Sequence, residues 1–389
     1  MNLSLPEPSE AQRAASFALC RRIAAEIAAA GGWMPFSRYM ELALYTPGLG
    51  YYSGGTRKFG AAGDFVTAPE LTPLFAHALA VQAAQIMTDS SAQILEAGAG
   101  SGILAAELLL ELERLGSLPD CYLILELSGE LRARQQETLA ARAPHLAARV
   151  SWLDRLPAAF GGLVLGNEVL DAMPLALVEW HAGTAAGPVV LERGVVLGEN
   201  GGFAWQARPA QGAVLQAAQA LPVAPPFVTE IGLAARAWVA EWGRILTQGA
   251  LLLIDYGFPQ AEYYHPDRSH GTLMCHYRHH AHADPLWWPG LNDITAHVDF
   301  TAIAEAGFDT GLEVLGYTGQ AQFLFNCGIT GILDRLTDKT GQDYLREAGN
   351  VGKLISPNEM GEKFKVIAFG RGLKEPLLGF ARGDRTHTL

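Results

Sequence analysis

At 389 residues, 49% hydrophobic and 17% charged, the chain can bury a large core, as one big domain with insertions or as two domains. The balance of 28 basic against 40 acidic residues, formally −12, argues against a nucleic-acid partner and suits a cationic ligand or a basic protein substrate. Cys20, Cys121, Cys275 and Cys327 are far apart with no CxxC pair. With no leader-like N-terminus and no membrane-length apolar run, this predicts reduced thiols in a cytoplasmic protein without membrane insertion.

Ser9 to Ala30 recurs apolar at helical spacing and stops at Gly31-Gly32, so a capped amphipathic helix is expected there. The stretch "YTPGLGYYSGGTRKFGAAGDFVTAPE" is rich in Gly, Pro and aromatics and predicts a long irregular segment, uncommon unless it does something. A helix should follow from Thr72 to about Met87. Short apolar runs then alternate with helical segments: "QILEAG", "CYLILEL", "RVSWL", "GLVLGNE" and "ALLLIDYG". Near-continuous apolar strands between helices predict an α/β fold with a mainly parallel sheet covered on both faces. Val178 to Ala207 alternates like antiparallel hairpins, and His265 to Pro289 is crowded with His and Trp; both are expected to be insertions. "QAQFLFNCG" and "EKFKVIAFGRG" are expected as late strands with a helix between them. The division expected is an N-terminal helix and covering loop (1–70), core (71–174), β-rich lobe (175–230), core (231–258), His/Trp insertion (259–300), core (301–372) and tail (373–389).

The first of these strands runs into Glu96-Ala97-Gly98-Ala99-Gly100-Ser101-Gly102. A dinucleotide site would place its third glycine three positions after the second and would need no acid before the first. Here the spacing is G-x-G-x-G, and Glu126 ends the next strand 24 positions past Gly102, where an acid can accept from both hydroxyls of a ribose. Bare backbone and a helix N-terminus then offer amide donors to an anionic group. The set fits S-adenosylmethionine, with Glu96 expected to favour its cationic end through water. Asp154 is placed to take a hydrogen bond from the adenine amino group, with Leu153 or Leu156 over the ring; a solvated loop acid is the alternative.

"GAAGDFVTAPELTPLF", "LEAGAGSG", "LGNEVLDAMP", "LLLIDYGFP" and "NDITAHVDFTAI" together resemble the signatures of the MidA family of class I S-adenosylmethionine-dependent methyltransferases, over about Phe36 to Gly372. The resemblance implies a Rossmann-like methyltransferase core with inserted substrate lobes. For the family's mitochondrial members, which assemble respiratory complex I, it implies dimethylation of an arginine on a core subunit. It carries the cofactor loop onto Gly98, Gly100 and Gly102 and the ribose acid onto Glu126. Gly63, Asp64, Thr67, Pro69 and Glu70 match a segment that packs over the cofactor. Ala99 stands where the family often has Pro, which costs rigidity.

A guanidinium nucleophile is always protonated in water, so carboxylates must hold it in a fork and help remove a proton. Asn167 and Glu168 end the fourth strand with Asp171 one turn later, where open parallel sheets place ligands. The alternatives are a helix-end charge for Glu168, a first-turn acid for Asp171 and a cap for Asn167. Asp255 could serve the core or the crevice. His276, His279, His280 and His282 invite a metal reading, but without partner spacing elsewhere no metal is expected. Trp287 and Trp288 read as packing residues before a cation cage. His297 and Asp299 are acid–base candidates or caps of a helix starting at Phe300. The expected function is methylation of a protein side chain, arginine first, with a homodimer left open. The rivals are a non-catalytic cofactor-binding assembly factor and an NAD-dependent oxidoreductase.

Overall fold

The computed structural model describes residues 5–54, 67–184, 187–336 and 338–389. Seven strands form the main path of the central sheet, β1 (Gln93–Ala97), β2 (Cys121–Leu125), β3 (Val150–Leu153), β4 (Phe160–Asn167), β5 (Leu246–Phe258), β6 (Glu313–Gly319) and β7 (Phe364–Arg371), and the short strand Val298–Asp299 pairs with the end of β5 as the eighth. Their spatial order is β6-β7-β5-β4-β1-β2-β3. The five from β5 to β3 are parallel, and β7 runs antiparallel between β5 and β6. Chain order departs from β1 in both directions, to β2 and β3 on one side and to β4 and β5 on the other. A crevice therefore opens beyond the carboxyl ends of β1 and β4, where Ala97 pairs with Gly166.

Strands of this sheet are buried on both faces, which is why they read as apolar runs rather than alternations. Helices Pro73–Thr88, Ile103–Arg114 and Gly129–Arg142 pack on one face with Ile94, Leu165 and Val366. Helices Leu233–Ile245 and Phe300–Phe308 pack on the other with Leu95, Val164 and Phe369.

Between β4 and β5 the chain builds an antiparallel sheet from Ala176–Thr184, Gly187–Leu197, Phe203–Pro209 and Phe227–Ile231, joined by Met34–Pro35 from the N-terminal segment. A smaller sheet follows β5, with Met274–Tyr277 between His280–His282 and Asp293–Thr295. The first helix is Glu10–Ala29, started by a Ser9–Gln12 capping box.

Two elements differ from the sequence reading. "QAQFLFN" is a helix, Gln320–Asn326, because Gln320, Ala321, Phe323 and Leu324 are buried at helical spacing while Phe325 turns outward. The strand lies just before it, as β6. A second N-terminal helix, Phe36–Tyr45, buries Phe36, Tyr39, Met40 and Ala43; the sequence reading assigns no element there, and the helix ends where the stretch read as irregular begins. Among the described residues, no helix is long and apolar enough to cross a membrane.

Candidate active site

The crevice is a cavity of about 1310 Å³ walled by the turns after β1, β2 and β4, the Glu41–Ser53 and Thr67–Glu70 segments, and the insertion that follows β5. Gly98, Gly100 and Gly102 have φ of +65°, +52° and +83°, a conformation that side chains resist. Gly98 and Gly100 line the cavity. Gly102 does not: a Cβ there would sit 3.0 Å from Gln135 Cα, so this glycine lets the helix Gly129–Arg142 approach and caps Ile103–Arg114.

Gln135, unnoticed in the sequence, ties this region together. Its Nε2 donates to Gly100 O (3.1 Å) and Glu126 Oε2 (2.9 Å), while its Oε1 accepts from Trp152 Nε1 (2.9 Å). Glu126 also accepts from Ser128 N (2.8 Å) and lines the cavity, its carboxyl raised by burial. Glu96 accepts from Tyr122 OH (2.7 Å); burial pushes its carboxyl up to about 7 although that bond pulls the other way. Both Glu96 and Glu126 face the cavity from either side of the glycine turn.

Thr67, Pro69 and Glu70 line the cavity, and Glu70 accepts the Ser101 hydroxyl, fastening Ala68–Leu71 to the turn. Gly63 and Asp64 lie outside the described residues. Asp154 is exposed and is not part of the cavity wall, and Leu153 and Leu156 pack on the core instead. Leu153 O nevertheless accepts from Glu126 N (3.1 Å), so the end of β3 lies beside the ribose-acid candidate.

At the end of β4 the geometry is more strained. Glu168 has φ +53°, a non-glycine residue in the left-handed region, which costs of order 1–3 kcal/mol and persists only when its surroundings enforce it. They do so here. Its N–H donates to Ile254 O (2.8 Å), and Asn167 Nδ2 donates to its Oε1 (3.0 Å). Asp255 on β5 accepts the N–H groups of Val169 (3.1 Å), Leu170 (2.9 Å) and Asp171 (3.3 Å) through one oxygen. Asp255 is thus a buried organiser of the turn and not part of the cavity wall.

Asn167, Glu168 and Asp171 all line the cavity. Asp171 accepts from Tyr256 OH through Oδ2. Its Oδ1 and Asn167 Oδ1 are buried and have no partner among the described residues. Burial, with Asp171 close by, pushes Glu168 up to about 8, and burial pushes Asp171 up to about 6. The sole Lys or Arg among the described wall residues is Lys363. Buried acceptors with raised carboxyls and so little balancing charge make a receptor for a cation rich in N–H donors.

The remaining candidates have definite places. His297 lines the cavity between the rings of Tyr256 (5.3 Å) and Phe258 (5.1 Å). Asp299 caps Phe300–Phe308 through Ala302 N (3.1 Å). His280 and His282 bond Arg278 O and Asn292 Oδ1, His279 sits in the hairpin turn, and only His276 of the four reaches the cavity. Among the described residues no group of His, Cys, Asp and Glu could hold a metal ion. Trp287 packs on Tyr277 (5.1 Å) and Trp288 on Phe17 (5.2 Å).

The two halves of the cavity suit the two ends of S-adenosylmethionine chemistry. Open backbone with flanking acids, one at each strand end, accommodates a nucleoside with a cationic sulfur. When bound, it supplies an electrophilic methyl group. The protein's own residues orient the acceptor, keep water out and receive a proton.

Comparison with known proteins agrees. Residues 74–318 match a family of S-adenosyl-L-methionine-dependent methyltransferases. A Burkholderia thailandensis crystal structure, described as a methyl transferase bound to S-adenosyl-homocysteine, superposes with a TM-score of 0.94 at 54% identity, covering 99% of this chain and 100% of that one. Curated relatives include the mitochondrial protein arginine methyltransferase NDUFAF7 of Mus musculus, 28% identical over 87% of this chain and 81% of its own length. The homologue from Caenorhabditis elegans is 28% identical over 87% and 83%. These relatives are named as mitochondrial, which corrects the expectation of a plain cytoplasmic location. The nicotinamide and non-catalytic alternatives fall with the same findings. S-adenosylmethionine is the cofactor, and the chain belongs to this family of S-adenosyl-L-methionine-dependent methyltransferases.

Proposed function

We propose that the chain methylates arginine on a protein, a subunit of a respiratory complex I-type assembly being the substrate class. The observation that carries this reading is the pair of buried, unpartnered acceptors, Asn167 Oδ1 and Asp171 Oδ1, beside Glu168 in one cavity. Acceptors left without donors in a protein interior cost about 1–3 kcal/mol each, so a guest with a fork of N–H donors suits them. A guanidinium has five such donors in a plane and no acceptor; an ammonium has three on a point. The naming of the curated relatives as protein arginine methyltransferases supports the same choice.

In this reading Gly98, Gly100, Glu96, Glu126, Thr67, Pro69 and Glu70 hold the cofactor. Asn167 and Glu168 grip the guanidinium. Asp171 takes its proton. The lobe built on Ala176–Ile231 and the His/Trp insertion present the substrate chain. The test is incubation with labelled cofactor and an extract from cells lacking the protein, followed by hydrolysis of the labelled band. Methylarginine is expected. Label confined to lysine, to histidine or to a small molecule would sink the reading.

A further inference from the structure

Methylation of a guanidinium must dispose of a proton. The nitrogen–carbon bond forms as the carbon–sulfur bond breaks, and the bonding pair stays on sulfur. The nitrogen would carry an extra positive charge unless its proton leaves. In the proposed active site, Asp171 receives that proton in a space that substrate and cofactor close to water, so a route onward is needed.

The structure holds such a route behind Asp171. A second, separate chamber of about 30 Å³ lies on the far side of the acid, bounded by Asp171, His297, Glu230, Tyr263, Arg236 and Asp299. That is room for a water molecule with ample polar partners. Asp171 and His297 border both the large cavity and this chamber. Each also has a buried polar atom without a partner among the described residues: Asp171 Oδ1 and His297 Nδ1. A carboxylate oxygen with two lone pairs, one left for the substrate, and an unsatisfied ring nitrogen at the wall of a water-sized polar chamber are what a bridging water satisfies.

The groups facing His297 fix its state. It packs between the Tyr256 and Phe258 rings, and Arg268 lies over Phe258 at 4.1 Å. Burial first, then Arg268, Lys365 and Lys363, hold its imidazole down at about 4, so at neutral pH the ring is uncharged, with one nitrogen a donor and the other an acceptor. On the chamber's other side, Glu230 is engaged by Thr272 N, Leu273 N and Tyr263 OH. Asp299 is engaged by Tyr264 OH, lies 3.8 Å from Arg236 and has a side chain that is itself 10% exposed, so a proton that reaches its carboxylate can leave to solvent without passing through the guanidinium.

We propose that a water in this chamber, held by His297 Nδ1 and Asp171 Oδ1, carries the substrate's proton from Asp171 toward Asp299 and the surface, with His297 as its positioning residue. The proposal rests on the arginine reading only in the choice of nucleophile, since any acceptor that loses a proton needs the same outlet.

A crystal structure with the demethylated cofactor tests it without turnover. A water within about 3 Å of both His297 Nδ1 and Asp171 Oδ1 is expected. A dry chamber overturns the proposal and leaves the arginine reading untouched. The kinetic arm uses His297→Leu, His297→Asn and Ala235→Val, the last placing methyl groups in the chamber from its wall, with Ala302→Val in its place should Ala235→Val not fold. Loss of the outlet should lower kcat about 10–100-fold at pH 7, with substrate KM and cofactor Kd within about threefold. The defect should shrink toward pH 9, where Asp171 loses its proton to solvent readily once products leave and the cavity reopens. His297→Asn, which keeps an acceptor near Nδ1, should recover most of kcat. An unchanged kcat, a loss equal at every pH, or a loss seen only in KM would each overturn the relay. Should the labelled residue prove not to be arginine, the same variants measured on that residue still decide it.

Discussion

Replacing Glu168 with Gln should make the protein more stable and less active, and the gain should depend on pH. The carboxyl is buried, and burial with Asp171 nearby raises it from an ordinary 4.5 to about 8. A raised carboxyl means that the folded state holds a proton the unfolded chain has released. Stability from this residue is therefore intact below about pH 4.5 and declines as pH rises toward 8. The full displacement corresponds to about 4–5 kcal/mol, and relaxation and water entry bring the realistic figure to about half. A chain of this length gains or loses roughly 1 °C of Tm per kcal/mol. Glutamine has the shape of the neutral acid and never ionises. Its Tm should match the parent within about 1 °C at pH 5 and exceed it by about 2–3 °C at pH 8.5, read by thermal melts without cofactor. On the reading that Glu168 grips a cation in the transition state, kcat should fall about 10²–10³-fold, with cofactor affinity held within about threefold. A Tm difference that is constant across pH, or a variant less stable at pH 8.5, would refute the reasoning.

Gly100→Val should abolish binding of S-adenosylhomocysteine in a calorimetric titration, since Gly100 lines the cavity at φ +52°. Gly102→Ala should instead lower stability by about 1–2 kcal/mol through contact with Gln135 and leave residual binding; equal loss in both would show that the turn tolerates no change at all. Tyr122→Phe removes the bond that holds the Glu96 carboxyl down, so Glu96 stays protonated to higher pH. Cofactor affinity should drop at pH 7 by about three- to tenfold and recover toward pH 9, and a deficit equal at both pH values would remove Glu96 from the cofactor's cationic end.

The parts of the site that sequence revealed are those whose residue type is forced locally. Gly98 and Gly100 sit in a backbone conformation that their neighbours could not adopt, so the spacing survives in the string of letters. Glu126 and Glu168 are legible because each ends an apolar strand, and strand ends face the crevice. Gln135 had no such mark. It is one polar residue on a helix next to another, Gln136, and its three hydrogen bonds span elements from residue 100 to residue 152. Tyr256 bonds an acid 85 positions away, and nothing near it announces the contact. The helix Gln320–Asn326 misled because a short apolar run fits either period until burial is known.

Charge explains why the cavity has so many acids and so few bases. Elsewhere in this chain a buried acid has arginine partners: against the cost of burial, Arg114 (2.7 Å) and Arg335 (2.6 Å) hold the Glu111 carboxyl below its ordinary value. Glu96, Glu168 and Asp171 have no Lys or Arg partner among the described residues and sit high, at about 7, about 8 and about 6. Methyl transfer to a guanidinium has to press a sulfonium against a second cation, a repulsion of about 4 kcal/mol at 4 Å near a protein surface. Permanent salt bridges within the wall would leave no negative charge to offset it. Acids kept near the point of ionisation by burial supply that charge when the cations arrive and are neutral, and so cheap to bury, when they are absent. On the proposed arginine reading, the same raised carboxyls that weaken the fold at high pH let one crevice accept two positive guests.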